Sequence, residues 1–143
     1  MCLDLPEVYC RFSNDCFLCC IETEMTLSNA DVNRIVKLGY SKEEFLDEID
    51  GFLALKNIEE HCFFLEDKRC LIYESRPQGC RFYPLIFDFE SNEFMIDDFC
   101  SHYDDFKVEM YLSLYDNVAS FVNCLIEEKE QRIKEKEKKV YKI

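Results

Sequence analysis

Cysteine is the residue type that most constrains this chain. Ten of the 143 residues are cysteine, whereas tryptophan is absent and histidine occurs only twice. A small domain uses so many cysteines either as a disulfide framework in an oxidising compartment or as thiolate ligands of a metal. Residues 1–7 have neither the basic region nor the apolar run of an export signal. We therefore expect a cytoplasmic protein with reduced thiols that bind metal, although the even number leaves full disulfide pairing open.

The charge balance narrows the classes of partner. Seventeen Lys and Arg stand against 30 Asp and Glu, a formal net charge of −13, and 48% of the residues are hydrophobic. A chain of this length and hydrophobic content can bury a core. Its acidic surface would repel phosphate backbones and acidic membranes, and no apolar run is long enough for a membrane span. We therefore expect neither nucleic acid nor a membrane as partner, and leave a protein partner and the oligomeric state open.

Composition changes near residue 126. Residues 127–143 contain seven Lys or Arg and five Glu, a local charge of +2, which leaves −15 on residues 1–126. Alternating Glu and Lys is typical of a solvated helix that is supported by pairs of opposite charge one turn apart. We therefore predict two parts, a cysteine-rich body of residues 1–126 and a charged helical extension of residues 127–143.

Capping residues and hydrophobic periodicity predict an α+β fold. Ser28 and Ser41 are candidate N-caps of helices over residues 29–38 and 42–50, which Gly39 and Gly51 would end. An apolar stripe at steps of three and four residues predicts a long helix over 103–138 with Ser101 as its N-cap. Short strands are predicted at 52–55, 61–65, 70–73, 85–89 and 94–96, and no internal repeat is evident.

The first group of cysteines has the spacing of a chelate. Cys16 and Cys19 are separated by two residues, so one turn of backbone can aim both sulfurs at a single metal site. Cys20 follows directly, and adjacent side chains point in different directions. The pair therefore indicates a polynuclear cluster, a second site or a spare reactive thiol. Cys10 lies six residues before Cys16.

The later cysteines are too far apart in sequence to form a chelate by spacing alone. Cys62, Cys70, Cys80 and Cys100 would have to meet in the fold, and each could equally be a small buried hydrophobic residue. His61 and His102 each lie next to or near one of these cysteines, so a site with three Cys and one His is conceivable. We treat Cys2 and Cys124 as incidental.

One string in this region resembles a known family. Cys70-Leu-Ile-Tyr-Glu-Ser-Arg76-Pro77-Gln-Gly-Cys80-Arg81-Phe-Tyr-Pro84, together with the doublet at Cys19-Cys20, is similar to the CxxCxxCC family, whose name expresses an expected chelation of zinc or iron. The resemblance spans residues 10–100 and implies eight metal-binding cysteines: Cys10, Cys16, Cys19, Cys20, Cys62, Cys70, Cys80 and Cys100. The sequence departs from the family in two places. Five residues separate Cys10 from Cys16 where the family usually has two, and Phe63 follows Cys62 where Pro is common.

Two arginines are candidates for supporting the ligands. Pro77 favours the start of a short helix that would carry Cys80 and Arg81. Cations and helix N-termini favour a thiolate over a thiol. We therefore predict that Arg76 and Arg81 offset the charge of a thiolate site, with ordinary ion pairs to nearby carboxylates as the alternative.

The number of thiols leaves the metal open. Eight thiols exceed the four of one structural zinc, and match two four-ligand sites or one cluster with further thiols around it. Our first hypothesis is an iron–sulfur cluster, with [4Fe–4S] favoured, in a redox or accessory role. The alternatives are a protein-interaction module that zinc holds together without catalysis, and a metal-delivery protein. No Ser-His-Asp pattern, P-loop or HExxH motif indicates a particular enzyme.

Overall fold

Short antiparallel strands and helices alternate along the chain. A computed structural model describes residues 17–100 and 108–140. The helices are α1 (Asn29–Lys37), α2 (Lys42–Phe45), α3 (Gln78–Phe82) and α4 (Tyr115–Val140), and 3₁₀ turns cover Leu18–Cys20, Tyr73–Ser75 and Val108–Leu114. The strands are β1 (Thr26–Leu27), β2 (Leu46–Ile49), β3 (Phe52–Leu55), β4 (Asn57–Ile58), β5 (His61–Cys62), β6 (Leu65–Glu66), β7 (Arg69–Cys70), β8 (Leu85–Asp88) and β9 (Glu93–Ile96). The prediction of an α+β fold is confirmed.

α1 has the bounds that its capping residues predict. The Ser28 hydroxyl accepts a hydrogen bond from the Asp31 N–H at 3.0 Å, and the Asp31 carboxylate accepts one from the Ser28 N–H at 3.0 Å. This reciprocal pair is a capping box, which satisfies two N–H groups that a helix start leaves without a partner. Gly39 adopts a φ of +108°, which ends the helix in the left-handed region.

The second predicted helix is wrong beyond its first turn. Helix α2 ends at Phe45, and the chain then forms β2, which pairs with β3 around a turn at Asp50 and Gly51. Both turn residues have positive φ, +52° and +85°. The capping box at Ser41 forms and starts α2, whereas the Asp-Gly turn, which matches the twist of a two-residue hairpin, favours β2 over a longer helix. β1 adds to the other side of β3, which makes a three-stranded sheet of order β1-β3-β2.

Two small hairpins follow each other with the same geometry. β4 pairs with β5 and β6 pairs with β7, each across a two-residue turn. All four turn residues have positive φ: Glu59 at +51°, Glu60 at +70°, Asp67 at +50° and Lys68 at +64°. The residue after each hairpin also donates its N–H to the carbonyl before it, Phe63 to Lys56 at 2.9 Å and Leu71 to Phe64 at 2.8 Å. The chain therefore contains an eight-residue structural repeat, which the prediction of strands at 61–65 and 70–73 did not include.

Lys68 is expected to strain the second hairpin. A side chain in the left-handed region costs about 1 kcal/mol, and glycine relieves that cost. We expect Lys68→Gly to raise the free energy of unfolding by about 1 kcal/mol in urea denaturation.

Gly51→Ala is the matched control for this prediction. Gly51 also has positive φ, and an added Cβ would lie 2.9 Å from Cε of Lys129. It should lower the free energy of unfolding by a similar amount. If both variants raised the free energy of unfolding, or both lowered it, the prediction would be contradicted.

The predicted turn at Pro77 and the predicted hairpin after it are confirmed. Pro77 is the N-cap of α3, whose third residue is Cys80. β8 and β9 then form the hairpin predicted from residues 85–96, with Leu85 opposite Ile96. This order places Cys80 between the tandem hairpins and the β8–β9 hairpin.

The long C-terminal helix is confirmed, but it begins later than predicted. Residues Val108–Leu114 form a 3₁₀ turn with a non-helical residue at Tyr111, and α4 begins at Tyr115. The predicted N-cap, Ser101, and residues 103–107 lie outside the described residues. The beginning of the charged segment packs on the body, because Glu128 accepts a hydrogen bond from the Asn29 N–H at 2.7 Å and Arg132 donates one to the Gly51 carbonyl at 3.1 Å. The division at residue 126 stays a prediction.

The buried side chains form two cores. One lies between β8, β9 and α4 and contains Cys100 together with Phe82, Leu85, Val118, Phe121, Val122 and Leu125. The other packs α1 and β3 against the tandem hairpins, and its buried members are Leu27, Val32, Ile35, Phe45, Leu55, Cys62, Phe64 and Ile72. No helix in the described part of the chain is both long and apolar enough to cross a membrane.

Candidate metal centre

Five cysteines surround the same part of the fold. Cys20, Cys70 and Cys80 pack against the core that contains Cys62, and Cys19 precedes Cys20 in the first 3₁₀ turn. Cys62 is 4% exposed, Cys20, Cys70 and Cys80 are partly buried, and Cys19 is exposed. We call Cys19, Cys20, Cys62, Cys70 and Cys80 the cysteine set. It comes from four separate segments of the chain, so its convergence is a property of the fold.

The tandem hairpins place two members of the cysteine set in equivalent positions. Cys62 ends β5 and Cys70 ends β7, eight residues later. Each sulfur accepts a hydrogen bond from the backbone N–H two residues further on, Phe64 for Cys62 and Ile72 for Cys70. Such bonds favour the thiolate, which is the form that binds metal. Seven residues separate Cys62 from Cys70, which is too many for a chelate by spacing. The two cysteines are therefore one eight-residue structural repeat apart.

The thiols of the cysteine set influence one another's ionisation. A hydrogen bond from Cys20 lowers the pKa of Cys19, and the charge of Arg76 lowers it further. Burial raises the pKa of Cys62 to about 11, and the charges of Cys70 and Cys19 also raise it. Burial is likewise the main cause that raises the pKa of Cys70 and of Cys80, with Cys19 adding to both. In the metal-free protein one exposed thiol therefore ionises first and the others stay neutral.

Arg76 supplies positive charge to this region. Its guanidinium lies 3.8 Å from the centre of the Tyr73 ring. Its charge lowers the pKa of Cys19 and partly offsets the burial that raises the pKa of Cys70. The supporting role of Arg76 stays a prediction. Arg81 lies one residue after Cys80 in the last turn of α3. The supporting role of Arg81 stays a prediction.

The other candidate ligands are distributed differently. Cys10, Cys16 and His102 lie outside the described residues. Cys100 is buried in the core beside α4, where its backbone N–H donates to the Asp97 carbonyl at 3.2 Å, and its role as a ligand stays a prediction. The ring of His61 contacts the Cys62 carbonyl at 3.0 Å. Cys124 is disulfide-bonded, in contrast to the expectation of reduced thiols.

Cys19 also lines a cavity of about 530 Å³. Met25, Phe82, Tyr83 and Phe121 are among the residues around it. The Tyr83 hydroxyl donates a hydrogen bond to the Asp97 carboxylate at 2.6 Å on this side of the protein. Cys19 is thus the exposed member of the cysteine set, whereas the other four are buried or partly buried.

Comparison with known proteins decides the family. A family model described as "Putative zinc- or iron-chelating domain" matches residues 9–106, more than half of the chain. The chain belongs to the CxxCxxCC family. The resemblance seen in its cysteine pattern is thereby confirmed. Comparison with curated proteins and comparison with solved structures each found no match.

The donor chemistry of this CxxCxxCC domain fits the expected metals. The cysteine set offers only sulfur donors, which suit zinc and iron–sulfur clusters and are poor ligands for magnesium or calcium. Among residues 17–100 and 108–140, no three His, Cys, Asp or Glu side chains already stand in the arrangement of a metal site.

Proposed function

We propose that this CxxCxxCC domain binds iron, as an iron–sulfur cluster, through thiolates of the cysteine set. The observation that carries the proposal is the convergence of Cys19, Cys20, Cys62, Cys70 and Cys80 from four segments on one region. Two further observations support it: the Cys62 and Cys70 sulfurs accept backbone N–H groups, and the charge of Arg76 favours ionisation of Cys19. Family membership supports chelation of zinc or iron. The Cys19-Cys20 doublet, and a set of five thiols where one structural zinc needs four ligands, favour the cluster over zinc.

Each part of the cysteine set would contribute in its own way. The hairpins would present Cys62 and Cys70 with their N–H···S bonds, and α3 would present Cys80 from its first turns. The doublet would add Cys19, already inclined to ionise, with Cys20 as its hydrogen-bond donor. Arg76 would offset part of the negative charge of these thiolates. A bound cluster supplies one-electron transfer, in a redox or accessory role.

Anaerobic purification followed by a metal measurement tests the proposal. We expect brown protein with broad absorbance near about 400 nm, several iron atoms per chain, and bleaching of the band on reduction. The control is the same protein after chelator treatment, which should lose its colour and regain it on anaerobic reconstitution with iron and sulfide.

Two other results would overturn the cluster. Colourless protein with one or two tightly held zinc ions would favour the alternative, an interaction module that zinc holds together. Protein that holds neither metal after reconstitution would contradict chelation by these cysteines altogether.

A further inference from the structure

A partly buried ion pair on α1 contacts the turn that carries Cys80. The Asp31 side chain is 2% exposed and pairs with Arg34, whose Nη2 lies 2.8 Å from Oδ1 of Asp31. The same Nη2 donates to the carbonyl of Arg76 at 2.8 Å. Oδ1 of Asp31 also accepts the N–H of Gln78 at 3.1 Å. Two charged groups on one helix therefore bind the backbone of a short segment that lies more than 40 residues away in sequence.

This contact meets the backbone at the start of α3. The carbonyl of Arg76 and the N–H of Gln78 flank Pro77, the N-cap of α3, and the Cys80 N–H donates to the Pro77 carbonyl at 3.0 Å. The orientation of this turn fixes both Arg76 and Cys80. It also fixes Gly79, where an added Cβ would collide with the thioether of Met25. α3 thus has little freedom to shift while the contacts to Asp31 and Arg34 persist.

The capping box of α1 holds Asp31 itself in place. Its second oxygen accepts the N–H of Ser28 at 3.0 Å, while its own N–H donates to the Ser28 hydroxyl at 3.0 Å. The carboxylate therefore has partners on both oxygens. The capping box restricts its position independently of its contact with α3. Mutation of groups that hold metal ligands in place commonly lowers metal affinity by about 10–100-fold.

We propose that Asp31 and Arg34 are positioning residues for the metal centre, which hold the turn of residues 76–80 so that Cys80 and Arg76 face the other thiols. This inference rests on the proposed function and assigns a role to two residues outside the cysteine pattern. Neither residue would touch the metal. Their effect would pass through the two backbone contacts, at the Arg76 carbonyl and the Gln78 N–H.

Two substitutions with matched controls test the inference. Asp31→Asn replaces one carboxylate oxygen with an NH2 group, so that either the Ser28 N–H or the Gln78 N–H loses its acceptor, and it removes the charge that pairs with Arg34. Glu44→Gln makes the same change in the capping box of α2, which is remote from α3 in sequence. Arg34→Lys keeps a positive charge beside Asp31 but is too short to bridge to the Arg76 carbonyl, and Lys37→Arg makes the reverse exchange in the last turn of α1.

The first measurement uses metal-free protein. Cysteines are alkylated with N-ethylmaleimide, and the rates at Cys80 and Cys70 are read by peptide mass spectrometry. We expect the ratio of the Cys80 rate to the Cys70 rate to rise in both variants and to stay unchanged in both controls. In Asp31→Asn, loss of the Asp31 charge, which together with burial raises the pKa of Cys80, adds to the loss of positioning, whereas Arg34→Lys keeps both charges and reports positioning alone. General unfolding would raise both rates together and leave their ratio unchanged. If Asp31→Asn unfolds in this way, the ratio in Arg34→Lys decides whether the contact to α3 holds Cys80.

The second measurement is metal affinity by competition with a chromophoric chelator. Asp31→Asn should lower it about tenfold or more, and the controls should match the unaltered protein. An unchanged Cys80-to-Cys70 ratio, or an unchanged affinity, would overturn the positioning role. Unaltered protein that binds no metal would instead overturn the proposed function, and the metal-free measurement would still show whether Asp31 and Arg34 hold Cys80.

Discussion

Cys80→Ala is expected to lower the metal affinity of the protein by about two powers of ten. Structural zinc sites bind with about 10–16 kcal/mol, and the same energy shared among four thiolates here would amount to roughly 3 kcal/mol for each. Cys80 packs against the same core as Cys62 and Cys70, and it is presented by α3. Its loss should therefore leave the cysteine set one ligand short. Chelator competition on the reconstituted protein measures the change.

Cys100→Ala is the matched variant. It also removes one sulfur from a protein interior, but from the core beside α4 rather than from the cysteine set. We expect it to destabilise the fold modestly, because loss of a small buried side chain costs packing energy. A metal affinity that stays within about threefold would exclude Cys100 from the ligands. Equal losses in both variants would add Cys100 to the ligands. Unchanged affinity in Cys80→Ala would contradict the proposed site.

The elements that could be predicted are those whose determinants are local. α1 has its cap and its stop within a dozen residues, from Ser28 to Gly39, and both signals act on the backbone next to them. The β8–β9 hairpin and the Pro77 turn are also local. The end of α2 was mispredicted because its cap is local but its competitor, pairing of β2 with β3, gains hydrogen bonds along a whole strand.

The metal centre could be predicted only in part, because its assembly is not local. Spacing indicates Cys19, and the family resemblance indicates the other cysteines, but no pattern shows that Cys62 and Cys70 occupy equivalent places. The repeat is built from Glu-Glu and Asp-Lys turns that lack the Asn-Gly signal of such hairpins. The position of Asp31, three residues after Ser28, can indicate a helix cap. Its contact with Gln78 joins residues 47 apart, and no local sequence pattern predicts it.

Lowering the pH from 7 to 6 is expected to weaken metal binding by about three powers of ten. Burial raises the pKa of Cys62 to about 11 and also raises the pKa of Cys70 and Cys80, so these ligands are protonated in the metal-free protein. Each must release a proton to coordinate, and each released proton contributes about tenfold per pH unit. Cys19, whose pKa is lowered, contributes less. Affinity at several pH values, with proton release from calorimetry in two buffers, measures the slope.

The metal-free protein provides the control, because its stability should respond to pH with the opposite sign. A thiol whose folded pKa lies above its ordinary value of 9.0 holds its proton more tightly in the folded state. That contribution is complete below about pH 9 and is lost as the pH rises through about 11, as for Cys62. In urea denaturation, the free energy of unfolding of the metal-bound protein should thus rise from pH 6 to 8. The free energy of unfolding of the metal-free protein should fall only above pH 9. A metal affinity independent of pH would mean that these thiols are not the ligands, since neutral thiols cannot coordinate without losing a proton.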